Sequence, residues 1–251
     1  MNPRIYQFIG EQLRPTELGS LVKQLLLIRR KVFVLNGNYF YLDPVSNFGI
    51  RLMRDHHYEP ETTDLISRTL KEGDVFVDLG GNEGYFAILA SKIVGIRGKV
   101  ICIEPQRRLW NVIFENTRLN HCLNIQLLPF AVSDKRDVLE LILSPSNNTG
   151  SSGLVGNVRN SFWRRQSTEA IVLDDLPIQE KVKLIKIDIE GFELKALKGA
   201  ISMLERKAIE NILIEVHPSQ LINLGQTEEE LRIFLNGYGY FEHDGLYKPK
   251  G

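Results

Sequence analysis

The sequence predicts an α/β protein built on a doubly wound, mostly parallel sheet, and three observations carry that prediction. From Asp74 onward, short apolar runs alternate with segments of helical periodicity, the pattern of βαβ units. The run "VFVDLGGNEGYFAIL" (Val75 to Leu89) puts a glycine-rich turn between a strand and a helix, where such sheets take their ligands. The strand-like runs that follow end in polar or charged residues, among them Glu104, Asp188 and His217.

At 251 residues the chain is long enough for one large domain with an appendage. Residues 1–60 read as that appendage. Leu18, Leu21, Val22, Leu25 and Ile28 recur at helical spacing, and the "RRK" that ends the stretch complements the helix dipole. "VFVLNGNYFYL" reads as a hairpin turning at Asn36 and Gly37. The main domain, residues 61–251, is entered through a helix over Pro60 to Lys71. Strand "VFVDL", helix, strand "KVICIEP", helix "LWNVIFENTRLN" and strand "IQLLPFAVS" follow in order. "VLELIL" adds an antiparallel edge strand. Residues 144–169, rich in Gly, Ser and Asn and almost without periodicity, read as a long loop: a lid, a binding loop or a disordered segment. "KLIKIDIEG" then runs into the helix "ELKALKGAISML", and "ENILIEVHP" is the next strand. Thr227 and Glu230 form a capping box for the last helix. A short hairpin around Asp244 and Gly245 closes the chain.

Composition narrows the function classes. Lys plus Arg and Asp plus Glu both number 31, so there is no basic excess of the kind that neutralises nucleic-acid phosphates. Cys102 and Cys122 have no metal-ligand spacing and make no disulfide framework. No signal peptide is visible, and "LLLI" at Leu25 to Ile28 is far too short to span a bilayer. A cytoplasmic protein with no stable membrane insertion and no nucleic-acid partner is expected; its oligomeric state is not written in the sequence.

The glycine turn has three candidate ligand classes. A P-loop needs Lys and Ser or Thr after its last glycine, and Tyr85 and Phe86 stand there instead. The dinucleotide fingerprint finds Gly81 and Gly84 but has Leu79 at its first position. The third class is the S-adenosylmethionine turn, whose ligand carries an ammonium. Asp78, Asn82 and Glu83 suit that group and would repel a pyrophosphate. Glu104, about 20 residues beyond the turn, is placed to accept hydrogen bonds from ribose hydroxyls. Ala131 and Val132 can pack on an adenine, with Ser133 at its edge. Asp188 and Glu190 from one strand end share a face, as do Glu215 and His217 from the next. Such groups can hold a metal or brace the strand ends as a polar network. The network is the expectation, and no metal is assigned.

"YEPE" (Tyr58 to Glu61), "GDVFVDLGGNEGYF", "VICIEP", "LDDL" and above all "LIKIDIEGFELKALKGA" resemble the FkbM-type S-adenosylmethionine-dependent methyltransferases, over roughly Phe40 to Pro218. The resemblance implies a seven-strand class I methyltransferase (Rossmann-like) sheet whose last strand inserts antiparallel. It implies S-adenosylmethionine as cofactor and transfer of its methyl group to an oxygen, often a hydroxyl of a sugar or secondary metabolite. By position, Asp78, Gly80, Gly81, Asn82 and Gly84 would hold the methionine end, Glu104 and Pro105 the ribose side, and Ala131 and Val132 the adenine, with Asp188 nearby. Glu61 would close over the cofactor. Alanine is usual in the family at Gly81, so glycine there is expected only to loosen the turn. A base drawn from Asp188 and His217, then Glu190, would take the acceptor's proton. Phe162, Trp163, Arg164 and Arg165 suggest that the 144–169 loop handles a small-molecule or glycan acceptor, with the arginines suited to an anionic group. The alternatives are a nicotinamide-dependent oxidoreductase and a catalytically idle binding protein of the same fold.

Overall fold

The computed structural model describes residues 23, 25, 27–144, 148–154 and 164–250. Most of the expected N-terminal helix lies outside them, as do Phe162 and Trp163.

The described chain opens with a hairpin, β1 (Lys31–Leu35) and β2 (Asn38–Leu42), turning at Asn36 and Gly37 as expected. Helix α1 (Asn47–Asp55), an element not expected from the sequence, follows. Ser46 caps it by accepting the Gly49 N–H, and Phe48 and Leu52 form its buried stripe. The hairpin and α1 share a hydrophobic cluster with Ile88 and Cys122 of the main body. Helix α2 (Pro60–Thr69) leads into the main sheet.

That sheet has seven strands in the order β12-β13-β11-β10-β3-β4-β5. Its parallel core is β3 (Val75–Leu79), β4 (Lys99–Ile103), β5 (Ile125–Leu128), β10 (Leu184–Ile187) and β11 (Ile212–Ile214). These strands are near-continuous apolar runs because helices cover both faces. Val75, Val77 and Leu79 face one layer with α5 (Glu193–Lys198), α6 (Ile201–Glu205) and α8 (Glu228–Gly237). Phe76, Val100 and Cys102 face the other, with α2, α3 (Tyr85–Val94) and α4 (Arg107–Leu119). The closing hairpin β12 (Tyr240–His243) and β13 (Leu246–Pro249) inserts β13 antiparallel between β11 and β12, as the resemblance implied. After the short helix α7 (Pro218–Asn223), Thr227 and Glu230 make the expected capping box at the start of α8. The "ELKALKGAISML" helix is broken in two at Gly199, where a Cβ would lie 2.3 Å from the Ser133 carbonyl oxygen.

A second sheet corrects the sequence reading. It has the order β6-β9-β7-β8. The expected third strand splits: β5 stays in the main sheet, while β6 (Ala131–Val132) pairs parallel with β9 (Arg164–Ile171). β7 (Asp137–Leu143) is not an edge of the main sheet; it pairs antiparallel with β8 (Gly153–Leu154) and β9. The 144–169 stretch is therefore partly strand. Arg164 to Glu169, too polar to suggest a core element, is held by its ladder to β7.

Candidate active site

The site lies beyond the carboxyl ends of β3, β4, β10 and β11, on either side of the point where the strand order reverses. Gly80 has φ of 84°, and a Cβ there would lie 1.9 Å from the Asp188 carbonyl oxygen. Glycine at this position lets the turns after β3 and β10 press together. The N–H groups of Gly80 and Gly81 donate to the Ile103 carbonyl at 2.9 and 3.1 Å, tying the turn to the end of β4. Glu104 completes the tie, accepting the Asn82 N–H at 2.8 Å on one oxygen and the Gln106 N–H at 2.8 Å on the other.

Gly80, Asn82, Glu104, Pro105, Ala131 and Val132 line one cleft of about 640 Å³ counted to its open mouth, together with Asp188 and Glu190. Gln106, Phe130, Leu141 and Phe192 also stand on its wall; none was expected there, although Phe192 lies within "LIKIDIEGFELKALKGA". Asp78, Gly81 and Gly84 support this cleft from beneath without lining it. Ser133 does not reach it; its hydroxyl turns to Asp134 at 3.0 Å. Burial raises Glu104 to about 7, against the two N–H groups that favour its charge. Burial likewise raises Asp78 to about 6, although neighbouring Lys186 pulls it down.

Gly81 corrects an expectation. A Cβ there would lie 2.2 Å from Cys102 Sγ. The glycine is matched to the buried cysteine beneath it rather than merely loosening the turn.

A second, polar cleft of about 700 Å³ adjoins the first and shares Asn82, Gly150, Asp188 and Glu190 with it. Its far wall comes from α1 and the residues after it: Asn47, Phe48, Arg51, Tyr58 and Glu59. The "YEPE" stretch thus contributes Glu59 rather than Glu61, which is exposed and lines neither cleft. Glu59 has φ of 43°, a left-handed kink invisible in the sequence. His56 and His57, just before this stretch, are exposed. Arg164 and Arg165 do not line either cleft; Arg165 pairs with Glu140 at 2.5 Å on the neighbouring strand.

Asp188, Glu190, Glu215 and His217 do come together. Strand β10 stops at Ile187, so side-chain alternation is not what aligns Asp188 with Glu190; a left-handed pair, Glu190 and Gly191 at φ of 52° and 100°, turns the chain. His217 Nε2 lies 3.8 Å from Asp188 Oδ1, 3.8 Å from Glu190 Oε2 and 4.0 Å from Glu215 Oε1. Asp188, Glu215 and His217 each offer one ligand atom within 4.8 Å of the others. The buried Lys186 reaches Asp188 Oδ2 at 2.9 Å. Burial would lower His217, but its contact with Glu193 and the charges of Glu190 and Asp188 outweigh that and raise it to about 9. This surround favours the imidazolium over the neutral ring that a base at His217 would need. Burial raises Glu190 to about 7, with Asp188 adding to the effect against His217.

The glycine cradle at Gly80 and the unused lone pairs of Glu104 fit a cofactor with a ribose, and the orphaned, fully buried carboxylate of Asp78 sets negative charge beneath the turn, which suits a ligand carrying an ammonium. Sheet order, turn and donor set together define a class I methyltransferase, whose cofactor is S-adenosylmethionine. The chain belongs to the FkbM methyltransferase family: the methyltransferase FkbM domain matches residues 78–241. A shorter match, to protein-L-isoaspartate(D-aspartate) O-methyltransferase, covers residues 14–136. The hexuronic acid methyltransferase AglP of Haloferax volcanii is 24% identical over 165 residues, 66% of this chain and 65% of its own length. The methyltransferase sdnD of Sordaria araneosa is 26% identical over 177 residues, 58% of this chain and 67% of its own. A SAM-dependent methyltransferase from Aquifex aeolicus aligns with a TM-score of 0.42 at 17% identity, over 72% of this chain and 80% of its own. Among the described residues, no helix is long and apolar enough to cross a membrane.

Proposed function

We propose that the protein transfers a methyl group from S-adenosylmethionine to an oxygen, the hydroxyl of a small-molecule or glycan acceptor. The observation that carries this reading is the pair of adjoining clefts that meet at Asn82, Gly150, Asp188 and Glu190. One is walled by a nucleotide-type set and the other by polar and ionisable groups. When bound, the cofactor supplies an electrophilic methyl on a sulfonium.

The chain's own residues divide the remaining work. Gly80, Asn82, Glu104 and Pro105 hold the cofactor, with Ala131 and Val132 as an apolar wall for its base; Asp78 supplies buried negative charge beneath the turn. The second cleft takes the acceptor, with Tyr58 and Phe48 as aromatic surface and Asn47 and Asn82 as hydrogen-bonding groups. A hydroxyl is a poor nucleophile while protonated, so a nearby proton acceptor favours transfer. With His217 charged, that duty falls to a carboxylate. Glu190, raised to about 7, is matched to neutral pH, and Asp188 is held by Lys186 beside it. His217 then contributes a cationic N–H to the same spot.

Titration calorimetry with S-adenosylhomocysteine, followed by mass-spectrometric screening of hydroxylated acceptors with methyl-labelled cofactor, tests the reading. Binding of the sulfur compound with label appearing on an acceptor oxygen is expected. Label on carbon or nitrogen only, or NAD(H) binding without any response to the sulfur compound, would overturn it.

A further inference from the structure

Glu193 ends the "KIDIEGFE" stretch, and its side chain lines neither cleft. It is fully buried, at 0% exposure. Its Oε1 accepts the Gly191 N–H at 2.8 Å and lies 3.2 Å from Nδ1 of His217. We propose that Glu193 is a positioning residue: it accepts the Nδ1–H of His217 and fixes the ring with Nε2–H turned into the acceptor cleft as a cationic donor. The identity of that cleft rests on the methyl-transfer reading; the contact between the two side chains does not.

The argument is one of donors and acceptors. Oε1 accepts the Gly191 N–H, and Oε2 is buried without a partner among the described residues, so an ionised carboxylate here is destabilising unless it is paired with a cation. His217 is that cation. Once Nδ1 is committed to Glu193, only the state of Nε2 is open. Asp188 and Glu190 from the loop after β10, and Glu215 from the end of β11, present carboxylate oxygens to it at 3.8–4.0 Å. Glu59 and Arg51 face the same cleft from its far wall, and Lys186 is drawn to Asp188. Acceptors dominate this surround, which favours a proton on Nε2. The rise of His217 to about 9, against the effect of burial, agrees with the geometry. A ring held this way steadies the ionised carboxylate that takes the acceptor's proton, and it cannot swing to place Nδ1 in the cleft.

The experiment compares wild type with Glu193→Gln and Glu193→Ala. The amide keeps volume and a carbonyl acceptor but removes the charge. In Glu193→Gln the His217 ring, followed by NMR and assigned by its loss in His217→Gln, is expected to titrate well below the wild-type midpoint, toward the ordinary value of about 6.5. Affinity for S-adenosylhomocysteine should change less than about twofold, since Glu193 is outside the cofactor wall. Transfer should fall about tenfold or more near pH 8.5, where the variant's ring is neutral, and much less near pH 6, where it is charged again. Glu193→Ala should be worse than Glu193→Gln at both. An unchanged His217 midpoint in Glu193→Gln, or an equal loss of transfer at the two pH values, would overturn the proposal. Should the variants not fold, the wild type carries the test. Its His217 should have both ring nitrogens protonated near pH 8, and a neutral ring there would overturn the proposal. Failure to bind S-adenosylhomocysteine would defeat the methyl-transfer reading while leaving the His217 titration as the test of Glu193.

Discussion

Replacing Lys186 with methionine should destabilise the protein in a way that depends on pH. Lys186 is 2% exposed on β10, in register with Asp78 on β3. Its ammonium lies 2.9 Å from Asp188 Oδ2 and 4.9 Å from the centre of the Phe86 ring. At that separation the attraction to Asp188 alone is about 6 kcal/mol for an effective dielectric of about 20. The Asp188 side chain is 24% exposed, so water would recover part of the loss. Asp78 has no such relief: it is at 0% exposure and neither oxygen has a partner among the described residues. Removing one member of a buried pair costs about 3–5 kcal/mol, and the solvent access at Asp188 points to the lower end, about 3 kcal/mol. That is about a hundredfold in the folding equilibrium. Without the ammonium, Asp78 should rise above its present value of about 6 and shed the penalty by taking a proton. Urea unfolding followed by circular dichroism should therefore show a loss near pH 8 that shrinks near pH 5, while methionine keeps the packing on Phe86. A loss below about 1 kcal/mol at pH 8, or an equal loss at both pH values, would show that Lys186 is not the counter-charge of this site.

Three further outcomes are expected. Folding raises Asp78, Glu104 and Glu190 from ordinary carboxylate values to about 6, 7 and 7, and His217 to about 9, so each group holds its proton more tightly folded than unfolded. Their stabilisation is full below the unfolded values and fades as pH rises, from about 4 to 7 for the acids and about 6.5 to 9 for the histidine; thermal unfolding of the unliganded protein should show it at least about 2 kcal/mol less stable near pH 9 than near pH 5.5. Gly81→Ala should lose about 1–3 kcal/mol through collision with Cys102 Sγ, and less than about 1 kcal/mol in a Cys102→Ala background, measured as a double-mutant cycle. Glu104→Ala should weaken S-adenosylhomocysteine binding about tenfold or more by calorimetry, and unchanged affinity in a folded variant would show that Glu104 does not hold the cofactor.

Much of the fold is legible in the sequence because its signals are local. The buried runs of β3, β4, β10 and β11 carry their own apolar patterns, the hairpins at Asn36 and Asp244 carry their own turns, and Thr227 and Glu230 cap their own helix. Since ligands gather where such strands end, Glu104, Asp188, Glu190, Glu215 and His217 can be picked out by counting along the chain. What stayed hidden depends on partners distant in sequence. Arg164 to Glu169 is strand because β7 pairs with it, and nothing in "RRQSTE" itself demands that state. Glu59 enters the cleft, and Glu61 does not, because the backbone kinks at the start of α2. Gly81 answers to Cys102 across a strand pairing. Lys186 and Glu193, which sequence leaves without roles, become the buried partners of Asp188 and His217 only once β10, α5 and the end of β11 are assembled. A histidine's identity is written in the sequence. Its charge near neutral pH is not, because that follows from the carboxylates folding brings within 3.2–4.0 Å of its ring and from how little water remains to screen them.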